Sequence, residues 1–280
     1  MRIKSNTVHA WLEEDLPYFD LTTQLLGVGE QPARMTYYCR HAAIVCGTEE
    51  AVLLVHEVGA QVVSMASSGE AIAAEQTFFI VEGSFSALNE ITKVIQNIFE
   101  YASGVATRTH ALVCAAKHVN PAINILTTRK VFPGSKALSI KAILTGGAYP
   151  HRLGLSETVL LFKQHVDFIG GFSAVAQCVE RILAQDCEKQ VLLEVETAEE
   201  LEAVMCLPIH GVQYDKMSPE QLIALVPKVR QINPALIQLA AGGITLDNAA
   251  QYAATGVDGL VTTSTYFGKP ADVGVRFSRL

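Results

Sequence analysis

From residue 122 to about residue 262, short apolar runs alternate with amphipathic ones. The runs Ile123–Thr127, Val159–Phe162, Val191–Val195, Gly211–Tyr214, Ile237–Ala240 and Gly259–Val261 have the length and composition of strands. Ser173–Ala184, Ala198–Met205, Pro219–Gln231 and Leu246–Ala254 have helical spacing. Alternation of this kind predicts right-handed βαβ units and a parallel sheet. About six such units in succession fit a closed barrel better than an open sheet. The first part of the chain reads differently. Strands are predicted over Met35–Gly47, Ala60–Ser64 and Thr77–Glu82, and a helix over Glu49–Val58. A long helical stretch runs from Ala87 to His118, interrupted at Ser103-Gly104. The expected fold is α/β: an N-terminal α+β sandwich domain over residues 1–105, joined by the C-terminal tail 268–280, and an α/β barrel of parallel strands over residues 106–267.

Polar residues collect where these strands end. Thr128-Arg129-Lys130 follow the first strand, Lys163-Gln164-His165 the second, and Glu194-Val195-Glu196 close the third. Asp215 ends the next, followed in turn by Gly242-Gly243 and Thr262-Thr263. Parallel strands deliver their C-terminal tips to one face, so this pattern predicts a ligand-binding or catalytic mouth.

The 280 residues are 50% hydrophobic and 18% charged, which suits a folded chain with a large core. A formal net charge of -7 argues against sequence-independent nucleic-acid binding, which needs a basic surface. Within this acidic chain Arg129, Lys130, Lys136, Lys141, His151, Arg152, Lys163 and His165 fall close together, a set suited to a polyanion. His151-Arg152 follow a Gly146-Gly147 segment that reads as a flexible loop. Glu194 and Glu196 are two residues apart and share a strand face; with Asp215 they suit magnesium or a developing sugar cation. Glycines at 242 and 243 would let backbone N–H groups approach a phosphate. The six cysteines, Cys39, Cys46, Cys114, Cys178, Cys187 and Cys206, show no zinc spacing and are expected as buried thiols in a reducing compartment. No signal sequence and no run of the ~20 apolar residues that span a bilayer are found, so a soluble, cytoplasmic protein without membrane insertion is expected.

The segments Glu14–Thr23 (EDLPYFDLTT), Ser103–Thr107 (SGVAT), Thr128–Gly134 (TRKVFPG), Gly146–Leu155 (GGAYPHRLGL), Glu194–Glu196 (EVE) and Ala241–Ile244 (AGGI) occur in this order. Together they resemble the nicotinate-nucleotide pyrophosphorylase (quinolinate phosphoribosyltransferase) family. Members make nicotinate mononucleotide for NAD biosynthesis from quinolinate and phosphoribosyl pyrophosphate, with magnesium, releasing pyrophosphate and carbon dioxide. The resemblance implies that Arg129, Lys130, His151 and Arg152 line the acceptor pocket. It implies that Glu194 and Asp215 attend ribose and magnesium as catalytic and metal-binding groups, and that Gly242 and Gly243 form the phosphate loop. Lys93 falls where the family has an arginine that reaches into the neighbouring subunit's site. A homodimer or larger homo-oligomer, with sites near the subunit interface, is implied as well.

The chain departs from the family pattern at several of these places. Phe162 stands at a pocket lysine position, and Lys163, one residue on, should point elsewhere. Lys93 cannot form the arginine's fork. Lys216 follows Asp215 in place of an asparagine, Thr263 replaces a glycine, and Ala240-Ala241 replace a serine-containing turn. Phe162 and the Tyr149-Pro150 pair before His151-Arg152 resemble the ModD branch, linked by name to molybdenum transport. That branch leaves three readings open: transfer to quinolinate, transfer to another anionic heterocycle, or an accessory role in molybdate uptake without quinolinate chemistry.

Overall fold

The computed structural model describes residues 1–186 and 188–280, so Cys187 lies outside the described residues. The chain divides into two compact units. The first comprises Met1–His110, Val131–Gly147 and Tyr266–Leu280; the second comprises Ala111–Lys130 and Ala148–Thr265.

The first unit is built on a four-stranded antiparallel sheet, in the order Val273–Arg279, Pro32–Cys39, Thr77–Ser84, Gln61–Met65. Ala33, Met35, Tyr37 and Cys39 alternate along one face and are buried. The helix Phe85–Val119 brings Leu88, Ile91, Ile95 and Phe99 to the core at helical spacing. Phe99 meets Tyr37 and Phe79 edge-on at 5.3 and 5.4 Å. The Tyr37 hydroxyl donates to the Thr92 carbonyl at 2.8 Å, which satisfies its one polar group.

Two expectations for this unit need correction. The run Met35–Gly47 is not one strand: it breaks after Cys39, and Ala43–Ile44 pairs with Ala71–Ile72 in a separate small sheet. The long helix is not interrupted at Ser103-Gly104. Gly104 is there for close packing, since a Cβ would lie 2.8 Å from the Ala271 nitrogen. The Ser103 hydroxyl accepts the Cys46 N–H at 3.0 Å.

The second unit holds a seven-stranded parallel sheet in the order Tyr149–Pro150, Asn124–Thr127, Gly259–Thr262, Ile237–Ala241, Gly211–Asp215, Val191–Val195, Val159–Leu161. Each predicted strand is present within a residue or so of its predicted ends. The two edge strands carry no ladder to each other among the described residues, so the sheet is a curled half-barrel rather than a closed one. The edges explain this: one strand has three residues, and the other has two, of which Pro150 lacks an N–H to donate. Period-2 alternation decides what faces inward. Leu160, Leu192, Leu239, Ala241 and Val261 form one apolar cluster, with Leu126, Phe162 and Ile237 packed against it. Tyr214 and Gln238 belong to the opposite register; the Tyr214 hydroxyl donates to Gln238 Oε1 at 2.6 Å, and Gln238 Nε2 donates to the Val226 carbonyl of the helix Pro219–Ile232.

Cys39, Cys46 and Cys178 are buried, but Cys114 and Cys206 are exposed, so the expectation of uniformly buried thiols does not hold. Among the described residues no helix is long and apolar enough to cross a membrane.

Candidate active site

At the C-terminal tips of the half-barrel strands lies a cavity of about 530 Å³. It is lined by Arg129, Lys130, His151, Arg152, Glu194, Asp215, Gly242 and Gly243, all from the second unit. Lys93 is not among its lining residues. It is exposed on the long helix of the first unit, and its Nζ donates to Gln96 Oε1 at 3.0 Å.

The inner register of the strands supplies the acidic wall. Glu194 and Gln213 are neighbours in the ladder of adjacent strands, and Gln213 Nε2 donates to Glu194 Oε2 at 2.7 Å. Gln213 Oε1 is buried without a hydrogen-bond partner. Burial, and then the nearby carboxylates of Asp215 and Glu196, raise the Glu194 pKa above its ordinary value, against the Gln213 hydrogen bond. Asp215, two residues beyond Gln213 on the same face, pairs with the Lys216 ammonium at 2.8 Å. Glu196 does not join them. The strand ends at Val195, Glu196 is exposed, and its N–H caps onto Glu200 Oε2 at 2.7 Å.

The cationic wall comes from two segments. Arg129 and Lys130 are exposed beyond the Asn124–Thr127 strand, where Lys130 N–H donates to the Thr128 hydroxyl. Thr128 and Thr263 hydroxyls meet at 2.7 Å, so the added bulk at 263 is tied back to a neighbouring strand. Arg152 is only 7% exposed, and among the described residues no carboxylate lies within ion-pair distance of it. One Nη donates to the Thr158 carbonyl at 3.3 Å. Its guanidinium lies over the Phe162 ring, which also stacks on His165. Burial, then Arg129, work against its charge and Glu157 supports it, and an anion in the cavity would add to that support. Burial, then Arg152, push the His151 pKa down to about 4, so this imidazole is neutral at pH 7.

The rest of the predicted cationic cluster lies elsewhere. Lys141 is buried in the first unit against Glu49 and Glu50. Lys136 opens the helix Lys136–Thr145 of that unit and does not line the cavity. Lys163 starts the helix Lys163–Ile169 and points to Glu200 at 3.9 Å. His165 Nδ1 accepts the Phe162 N–H at 2.9 Å. Gly146 is a helix cap rather than part of an open loop. It closes its helix, and a Cβ there would lie 2.6 Å from the Ala106 carbonyl oxygen.

Gly242 and Gly243 have φ of +85° and +74°. At Gly242 a Cβ would come within 2.7 Å of both Asp215 Oδ1 and the Lys216 nitrogen, so glycine is required there on two counts. Sequence reasoning missed Gln213 and Lys216 as lining groups. Period-2 counting back from Asp215 points to Gln213. Nothing in the spacing marks Lys216, whose place depends on a left-handed backbone with φ of 59°.

Two family models match this chain. The quinolinate phosphoribosyl transferase N-terminal domain matches residues 20–103, and the C-terminal domain of the same family matches residues 105–276. The chain belongs to the quinolinate phosphoribosyl transferase family. Membership makes it a phosphoribosyltransferase, an enzyme of the pentosyltransferase class. Among its relatives is "Putative pyrophosphorylase ModD" of Rhodobacter capsulatus, 38% identical over 89% of this chain and 95% of that protein. "Nicotinate-nucleotide pyrophosphorylase [carboxylating]" of Mycobacterium leprae is 29% identical over 96% of this chain and 95% of that protein. The nicotinate-nucleotide pyrophosphorylase structure from Francisella tularensis superposes with a TM-score of 0.88 at 23% identity, covering 99% of this chain and 98% of that one, which shows a shared fold.

Proposed function

We propose that this enzyme transfers a phosphoribosyl group from phosphoribosyl pyrophosphate to a ring nitrogen of an anionic heterocycle, quinolinate or a related acid. The supporting observation is that one cavity holds both signs of charge: a buried Arg152 with Arg129 and Lys130, and the carboxylates of Glu194 and Asp215. The reaction needs both. An acidic acceptor must be held by cations, while C1 of the ribose becomes cation-like as pyrophosphate departs. Arg152 and Arg129 bind and orient the acceptor carboxylate through charge-assisted hydrogen bonds. Neutral His151 can donate or accept a hydrogen bond there but adds no charge. Glu194, held by Gln213, places its carboxylate for the ribose. Holding both substrates in one cavity supplies orientation, worth on the order of 7–11 kcal/mol in favourable cases.

Magnesium fits this donor set in a limited sense. Glu194 and Asp215 offer two carboxylates on one face, while no cluster of three or more His, Cys, Asp or Glu ligands occurs among the described residues. Such a pair suits an ion that keeps waters and arrives with a phosphate substrate, rather than an all-protein cage. When bound, it would neutralise the phosphate oxygens of the departing pyrophosphate.

In this reading the enzyme works as a homodimer or larger homo-oligomer. Tyr18, Phe19, Leu25 and Leu26 leave a run of exposed apolar surface on the first unit that a second copy would cover. The acting partners are small anionic molecules.

Pyrophosphate release tests the reading directly. With phosphoribosyl pyrophosphate and magnesium, release should depend on one or more members of a panel of pyridine and other heterocyclic acids, quinolinate included. If no acceptor supports release while molybdate alone binds in calorimetry, the accessory role in molybdate uptake replaces it.

A further inference from the structure

Lys216 and Glu75 are the two non-glycine residues with positive φ among the described residues. At 216 the conformation is clamped. The Lys216 N–H donates to the Ala241 carbonyl at 2.8 Å, and Gly242 packs so closely that a Cβ there would lie 2.6 Å from Lys216 Cγ. Glycine or asparagine would adopt this backbone at less cost. The residue present instead carries a long cationic side chain into the lining of the cavity, beside Gly242 and Gly243. That side chain is 75% exposed, and its partner is Asp215, with Nζ to Oδ2 at 2.8 Å. An ion pair so exposed is held weakly and can exchange partners. Strain retained in the lining of a functional cavity points to a use for the side chain that imposes it.

We propose that Lys216 is a donor-binding residue whose ammonium moves from Asp215 to a pyrophosphate oxygen of the sugar donor. The move needs only rotation within the side chain, because the backbone is fixed at both Ala241 and Gly242. It has a second consequence: Asp215 loses its covering cation when the donor arrives, and its carboxylate becomes available to the ribose side of the cavity. The assignment rests on the transferase reading and adds to it Lys216, which stands where the family pattern has an asparagine after Asp215.

The test compares Lys216→Gly, Lys216→Asn and Lys216→Arg by thermal melting and by calorimetric titration with inorganic pyrophosphate and phosphoribosyl pyrophosphate. Lys216→Gly and Lys216→Asn should melt no lower than the parent, since both suit the left-handed backbone, yet bind both anions about tenfold or more weakly. Lys216→Arg keeps the charge and should bind within about threefold of the parent. Gly and Asn variants that bind both anions like the parent overturn the assignment and leave the transferase reading standing. Variants that lose melting temperature but keep binding make Lys216 a structural brace and overturn it too. A parent protein that binds neither anion overturns the transferase reading and this assignment together.

Discussion

The Arg152 guanidinium lies over the Phe162 ring, 5.5 Å from its centroid. Phe162 continues the inner register of Leu160, so the cavity wall beside its one buried arginine is apolar. A carboxylate can reach Arg152, but a second carboxylate laid against Phe162 and Leu160 would be desolvated without a partner. Arg152→Ala should therefore weaken acceptor binding about 10- to 100-fold, the ~1.5–3 kcal/mol of a hydrogen bond to a charged group. Phe162→Lys should shift preference toward dicarboxylates over monocarboxylates by about tenfold, through the cation it adds. Titration with pyridine-3-carboxylate and pyridine-2,3-dicarboxylate measures both.

Glu194 is expected to separate stability from activity. Its folded pKa is raised, so the ionised form is disfavoured by folding. The associated stability is present at low pH and is lost as pH rises through the folded value. Glu194→Gln keeps an acceptor oxygen for Gln213 and removes the charge. It should melt at a higher temperature than the parent at pH 7, while turnover falls about 100-fold or more if the carboxylate stabilises the ribosyl cation. Differential scanning calorimetry and a pyrophosphate-release assay on one preparation decide it. Unchanged turnover removes Glu194 from the reaction.

Much of this site could be read from the chain because parallel strands and period-2 alternation obey simple rules. Once Val191–Val195 and Gly211–Asp215 are strands, Glu194 and Asp215 must stand near one another at their tips. The cationic residues were less legible, because closeness in sequence does not fix direction. Lys163 follows Phe162 but begins a helix and turns to Glu200, and Lys141 is buried beside Glu49 and Glu50 in the other unit. The left-handed turn at Lys216 left no mark in the residue itself, since lysine is a poor residue for that backbone and tertiary clamping holds it there.

His151 should govern stability in mildly acidic solution. Its pKa falls from 6.5 to about 4 on folding, through burial first and Arg152 second. Between these values the unfolded chain binds the extra proton, so stability must fall as pH drops from 6.5 toward 4. Above 6.5 this contribution is constant. His151→Gln should flatten the melting profile across that window and leave the neutral limb parallel to the parent's. An equally steep acid limb in the variant would assign the effect to other groups.

The Lys141 ammonium is the strongest candidate for a single-residue loss of stability. Its side chain is 6% exposed and that of Glu50 is 3% exposed, while Glu49 reaches the same ammonium from nearer the surface. Burial opposes the charge on Lys141, but hydrogen bonds to Glu49 and then Glu50 outweigh it and raise its pKa. Burial likewise acts to raise the Glu49 pKa, and is overcome by Lys141 and Ser68, which hold it at about 2. Lys141→Met leaves the Glu50 carboxylate buried without a counterion and should cost about 3–5 kcal/mol in denaturant unfolding. Adding Glu50→Met should recover most of that loss, because removing both charges also removes the desolvation penalty. The Glu49 contribution is present above pH 4.5 and is lost as pH falls toward 2. Most of this window lies below that of His151, so an acid titration of the parent and of the two variants distinguishes them. A double variant as unstable as Lys141→Met would show that packing around the methionine, rather than the uncompensated carboxylate, sets the cost.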